Sequence, residues 1–113
     1  MERLPNPIEI LFAAERCRDW ETLRSVLHPS VVWTIVGSEE SLVAGADAYI
    51  ARLRHAYERD GAVDFTVRRV LFGVGGKVAT ELVDDVGNIS IDIFELDKNG
   101  LVTREWEHVL GSP

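Results

Sequence analysis

Hydrophobic and polar positions change their rhythm midway along the chain. Asn6-Pro7-Ile8-Glu9 reads as a helix start, with Asn6 able to cap, Pro7 tolerated in the first turn and Glu9 placed to reach back as a capping-box carboxylate. This predicts a helix from about Pro7 to Arg18. Asp19 then opens a shorter helix through Leu27, on which Trp20, Leu23, Val26 and Leu27 fall at helical spacing, with Pro29 as its stop. Val31 to Val36 is β-branched and aromatic and ends at Gly37-Ser38, the pattern of a strand. Gly45 and Gly61 bracket a third helix with Tyr49, Ile50, Leu53, Ala56 and Tyr57 on one face.

Beyond Gly61 the hydrophobic runs shorten. Three begin near Val63, Lys77 and Ile89, separated by Gly-rich or Asn/Gly turns, and a fourth begins at Leu101 after Asp97-Lys98-Asn99-Gly100, where Asn and Gly tolerate positive φ. The predicted order is helix, helix, strand, helix, then an antiparallel meander of four strands. Helices grouped ahead of such a sheet imply an α+β fold, in one domain spanning residues 1–113.

Composition narrows the functional classes. The 113 residues are 46% hydrophobic and 27% charged, which is globular rather than disordered. Nineteen acidic against twelve basic side chains leave a formal charge of −7, so no nucleic-acid partner is expected. Cys17 is the single cysteine and is expected to be a small buried helix residue rather than half of a disulfide. The first residues lack a basic segment leading into an apolar run, and no stretch is long enough to span a bilayer. A cytoplasmic protein without membrane attachment is therefore expected.

Most chemical motifs fail on context. Gly73-Val74-Gly75-Gly76-Lys77 lacks the Ser or Thr of a phosphate loop and sits between two strands. His28, His55 and His108 are widely separated with no metal-ligand spacing, so no metal is expected. There is no Gly-x-Ser-x-Gly elbow, and Cys17 has no evident base. What remains is carboxylates on strands. Ile89, Ile91 and Ile93 alternate with Ser90, Asp92 and Phe94; Glu105 and Glu107 share one strand face, Trp106 and His108 the other. An acid enclosed by apolar groups has its pKa raised by desolvation and by neighbouring like charges, so it can donate a proton near neutrality. Asp92 and Glu107 in one cavity could then divide acid and base roles. The alternative is that the two glutamates are solvated near a strand end, beside Arg104.

The order of elements, together with Val36-Gly37-Ser38-Glu39, Ala62-Val63-Asp64-Phe65-Thr66, and Ile91-Asp92-Ile93-Phe94 followed by Gly100-Leu101-Val102, resembles the nuclear transport factor 2-like superfamily. That group includes ketosteroid isomerase, SnoaL-like polyketide cyclases and limonene epoxide hydrolase, and the resemblance covers nearly the entire chain. It implies a cone-shaped, curved antiparallel sheet wrapped around three helices. It also implies that Asp92 matches the isomerase's protonated, oxyanion-binding aspartate. The isomerase's base would fall at Thr34 or Ile35 and its tyrosine near Ile10 or Leu11, residues unable to do those jobs. Counting from the turn glycine, Glu107 matches the epoxide hydrolase's water-activating carboxylate. That enzyme's Arg-x-Asp pair has no counterpart at Ala79-Thr80-Glu81, and its tyrosine and asparagine fall near Trp33 and Ile35. Glu81 is a minor candidate because its facing depends on strand register.

These readings combine into one expectation: a cofactor-free enzyme, an isomerase or an epoxide-hydrolase-like hydrolase, acting on a small apolar ligand. The cavity would be walled by Phe12, Trp33, Leu53, Leu82, Phe94 and Val109. Asp92 would donate, and Glu107, with Glu105, would act as base. The competing expectation is binding of a hydrophobic molecule without chemistry. The Ile89, Ile91, Ile93 row is expected to support a homodimer through the outer sheet face, with a scaffold for another protein as the remoter reading.

Overall fold

In the computed structural model, residues 3–60 and 64–112 are described. The anticipated strand start near Val63, and the Gly61 that closes the third predicted helix, lie outside them. The elements run α1 (Asn6–Cys17), α2 (Trp20–Ser25), β1 (Leu27–Val36), β2 (Glu40–Ala44), α3 (Ala46–Asp60), β3 (Phe65–Phe72), β4 (Lys77–Asp84), β5 (Ile89–Leu96) and β6 (Val102–Gly111). Six strands form one open sheet in the order β2-β1-β6-β5-β4-β3.

The architecture is α+β as expected, and β3 to β6 form the antiparallel meander. The sheet as a whole is mixed rather than antiparallel, because β1 runs parallel to β6. The edge strand β2 was not anticipated. It folds back on β1 through the Gly37-Ser38-Glu39 turn, and its side chains are mostly exposed, with Leu42 at 66%, so the strand carries little hydrophobic signal.

Helix boundaries differ where two signals compete. Pro5, not Asn6, caps α1, and its carbonyl accepts from the Ile8 and Glu9 amides. The capping box is unused because proline already holds the extended φ that precedes a helix. Asp19 caps α2, accepting from the Thr22 amide at 3.2 Å. That helix stops at Ser25, not Leu27, because Leu27 pairs with Val102 and the Val26 carbonyl accepts the Val102 amide at 2.8 Å. Pro29 therefore lies in β1, at the register irregularity between Leu27 and Val32. Cys17 is exposed at the end of α1, contrary to expectation, since the buried stripe of that helix is Ile8, Leu11, Phe12 and Ala14.

The inner face of the sheet packs on α1 and α3. Val78, Thr80 and Leu82 of β4 and Asp92 and Phe94 of β5 point inward in strict alternation. This parity decides Glu81: it faces outward, opposite Ile91, and does not reach the interior cavity. Outside, Ile91 and Ile93 are half-buried, flanked by His108 and Trp106.

The β3–β4 turn docks on the end of β5, where the Gly76 carbonyl accepts from the Leu96 amide. Gly76 has φ +74, and an added Cβ would lie 2.5 Å from the Leu96 carbonyl oxygen; Gly87 has φ +93 but open space around it. Gly87→Ala should therefore cost about 1–2 kcal/mol from the left-handed backbone alone, and Gly76→Ala distinctly more. Urea unfolding of both variants checks the order.

Candidate functional site

Strand register builds the site. Across the sheet one inner row runs Trp33, Glu105, Phe94 and Val78, and the next runs Ile35, Glu107, Asp92 and Thr80. Asp92 and Glu107 are directly opposed on β5 and β6, a like-charge pairing that is unfavourable while both are ionised. Over these rows α3 lays Tyr49, Arg52, Leu53 and Tyr57, and α1 lays Phe12 and Glu15. Together they enclose a cavity of about 540 Å³, open to solvent on one side.

Asp92, Glu105, Glu107, Phe12, Trp33, Leu53 and Leu82 all line this cavity. Val109 lines it from a half-exposed position. Phe94 does not: it is fully buried in the core, with its ring edge-on to Phe12 at 5.7 Å between centroids. Its strand parity is inward as expected, but α1 closes over it. Thr34 and Ile35 bring no acid or base from β1, and Ile35 contributes only an apolar wall.

Carboxylate oxygens of Asp92, Glu105 and Glu107 lie within 4.8 Å of one another. Such all-oxygen donors have the chemistry to hold a hard cation. Asp92 and Glu105 keep only 6% and 3% of their surface exposed. Burial is the main cause that pushes both well above the usual carboxylate range. The Glu107 charge adds to Asp92, and the Asp92 and Glu107 charges add to Glu105. Contact with the Glu105 side chain partly opposes the rise at Asp92. Its Oδ1 has no partner.

Glu107 is raised by burial too, but Trp33 and Arg52 pull it back toward the ionised form. Trp33 acts from beyond hydrogen-bond geometry, since its Nε1 is buried and has no hydrogen-bond partner. Asp92 and Glu105 are thus pushed furthest above the ordinary carboxylate range, while the rise at Glu107 is opposed by these neighbours.

Three further groups complete the site. The Tyr49 hydroxyl donates to Glu105 Oε1, and the Tyr57 hydroxyl donates to Glu15 Oε2. Burial, reinforced by these carboxylates, raises both tyrosines above their ordinary value, so they remain donors. Burial pushes Glu15 up to about 7; Tyr57 opposes the shift, Glu107 adds to it, and Arg18 and Arg16 oppose it. Arg18 sits in the left-handed region at φ 60, with its guanidinium 3.6 Å from the Tyr57 ring centre. The strand-centred reading missed Glu15, Tyr49 and Tyr57. A signal existed: Glu15 lies three and four residues beyond Phe12 and Leu11, on the buried stripe of α1, and the inward face of α3 carries two phenolic oxygens that need partners.

The shifts have a sign for stability. A carboxyl whose folded pKa is raised stabilises most below its ordinary value and loses that contribution as pH rises through the folded value. For Glu15 the window is from 4.5 to about 7. Asp19 and Asp84, held low chiefly by bonds from Thr22 and Asn88, act oppositely and lose stability only as pH falls below the ordinary Asp range. Melting temperature should therefore fall between pH 5 and pH 8. Glu15→Gln should flatten that decline, as thermal melts across the range would show.

The whole arrangement can be set beside known proteins. No curated protein matches the chain in sequence. Among solved structures, a protein of unknown function with a cystatin-like fold from Methylobium petroleophilum aligns with TM-score 0.80 at 17% identity, covering 96% of this chain and 75% of that one. A candidate ketosteroid isomerase from Kribbella flavida aligns with TM-score 0.76 at 20% identity, covering 92% and 75%. An LEH-like epoxide hydrolase from M. tuberculosis aligns with TM-score 0.72 at 21% identity, covering 92% and 80%. These likenesses establish the fold. The SnoaL-like domain matches residues 8–105, and the chain belongs to that family.

Proposed function

We propose that this chain is a small-molecule enzyme that isomerises, cyclises or hydrates a largely apolar ligand by acid–base chemistry. One observation carries the reading: three desolvated carboxyl groups from adjacent strands converge on an open, mainly apolar cavity, with a tyrosine donating to one of them. Neutral Asp92, backed by Glu105 and Tyr49, donates a hydrogen bond or proton to an oxygen on which charge develops. Glu107, kept closer to ionisation by Trp33 and Arg52, takes a proton from the substrate or from water. Leu53, Leu82, Phe12 and Trp33 exclude water and orient the apolar body.

Asp92→Asn and Glu107→Gln should each preserve the circular dichroism spectrum while reducing turnover by about 10²- to 10⁴-fold. The assay is a screen of small cyclic enones and epoxides followed by kinetics on any substrate found. Unchanged rates on a verified substrate would overturn the assignment.

A second reading, binding without chemistry, draws on Ile35, an apolar residue where a first-strand base would be expected. A ligand that binds tightly and returns unaltered after prolonged incubation would favour it.

The homodimer expected through the outer sheet face remains part of this proposal, supported by the half-buried row of Ile91 and Ile93 beside Trp106. Sedimentation should give a dimer that Ile91→Lys dissociates; a wild-type monomer at high concentration would remove it.

A further inference from the structure

Given the reading that the cavity accepts a small, largely apolar molecule, the geometry points to a narrower ligand class: an organic cation, an apolar body carrying a protonated amine. Its ammonium sits among Asp92, Glu105 and Glu107. Charge balance is the first argument. Glu15, Asp84, Asp92, Glu105 and Glu107 line the cavity, and Arg52 is the one cationic side chain that lines it among the described residues. Asp84 is committed to its own turn through Val86 and Asn88. The other four acids face one another with no such commitment to backbone amides.

Geometry supplies the second argument. An ammonium has three donors directed tetrahedrally, and oxygens about 2.8 Å from one nitrogen at those angles stand about 4.6 Å apart. The three carboxyl groups present oxygens within 4.8 Å of one another, close enough for one ammonium to engage all three. One of them, Asp92 Oδ1, belongs to a side chain 6% exposed and has no partner in the fold. A donor brought by the ligand would satisfy it, and the ligand's charge would replace the protons that the acids otherwise share. A magnesium ion could engage the same oxygens but would leave the apolar walls unused.

The walls are the third argument. Trp33 and Phe12 line the cavity, and aromatic faces attract cations. The protein already uses this chemistry at the rim: Arg16 lies 4.5 Å from the Phe65 ring centre and Arg18 lies over Tyr57. Both guanidiniums are engaged elsewhere, Arg16 with the Phe65 carbonyl and Asp64, Arg18 with the carbonyls of Glu15 and Arg16. They are therefore not counter-charges for the three acids of the sheet.

The test compares three probes of nearly one shape by titration calorimetry at pH 8: 1-naphthylmethylamine, 1-naphthalenemethanol and 1-naphthoate, with magnesium chloride alone as a fourth arm. The amine should bind at least about tenfold more tightly than the alcohol, as expected for buried charge-assisted hydrogen bonds, and naphthoate should bind most weakly. Asp92→Asn and Glu107→Gln should each bring the amine-to-alcohol ratio toward one. If either variant fails to fold, the ratio in the wild-type protein still decides. Equal or tighter binding of the alcohol overturns the cation inference and leaves the apolar-ligand reading standing. Failure of all three organic probes overturns both. Magnesium that binds alone and is not displaced by the amine replaces the inference with a metal site.

Discussion

Desolvated carboxyl groups, held where no counter-charge from the fold can reach them all, are the constraint on which this site depends. An isolated buried carboxylate is strongly disfavoured, and three together more so. The protein tolerates them by keeping protons on them and by donating phenolic hydroxyls: Tyr49 to Glu105 and Tyr57 to Glu15. Those tyrosines reach the acids because α3 crosses the sheet's inner face with Tyr49, Leu53 and Tyr57 directed downward. The Arg18 residue that ends α1 in a left-handed turn brings its guanidinium against the Tyr57 ring. Helix placement and proton placement are thus coupled: loss of either tyrosine would leave a buried acid without its donor.

The parallel pairing of β1 with β6 gives the cavity its unsymmetrical wall. It sets Trp33 beside Glu105 and Ile35 beside Glu107, so that strand β1 lends an indole and an aliphatic side chain where it could have lent a charge. On the other flank β5 brings Asp92 against Glu107 and β4 closes with Thr80 and Leu82. The Thr80 hydroxyl is satisfied by the Asp92 carbonyl at 3.0 Å rather than by the Asp92 carboxyl. That choice leaves Asp92 Oδ1 without a partner from its neighbouring strand.

What could be read from the chain follows the period-two rule closely. Asp92, Glu105 and Glu107 were readable as inward acids because alternation with Ile91, Ile93, Trp106 and His108 determines their face once one neighbour is known to point out. Alternation says nothing about depth, and so Phe94, of the same parity as Asp92, proved to lie in solid core under α1 and not against the cavity. Glu81 needed the β4 register, which no local signal supplies. Residues contributed from across the cavity were the least legible: Glu15 and Tyr57 are 42 positions apart, and only the packing of α1 on α3 unites them. The short strand β2 was missed because an exposed edge need not be hydrophobic. The end of α2 was misplaced because Val26 and Leu27 suit a buried helix face and a strand start equally well.

Asp92 and Glu107 differ in their surroundings rather than in their chemistry, since both are carboxylic acids on facing strands. Arg52 and Trp33 both lie on the Glu107 side, so ionisation there is opposed by burial but assisted by two neighbours. Asp92 is disfavoured as an anion first by burial, then by Glu107 in front and Glu15 farther off, while contact with the Glu105 side chain partly opposes that rise. Ionisation is therefore opposed most strongly on the Asp92–Glu105 side. A positive charge brought beside Asp92 would ease its ionisation, whereas an oxyanion developing there would be stabilised by a proton that Asp92 keeps. The fold sets these two different environments on directly opposed positions of adjacent strands.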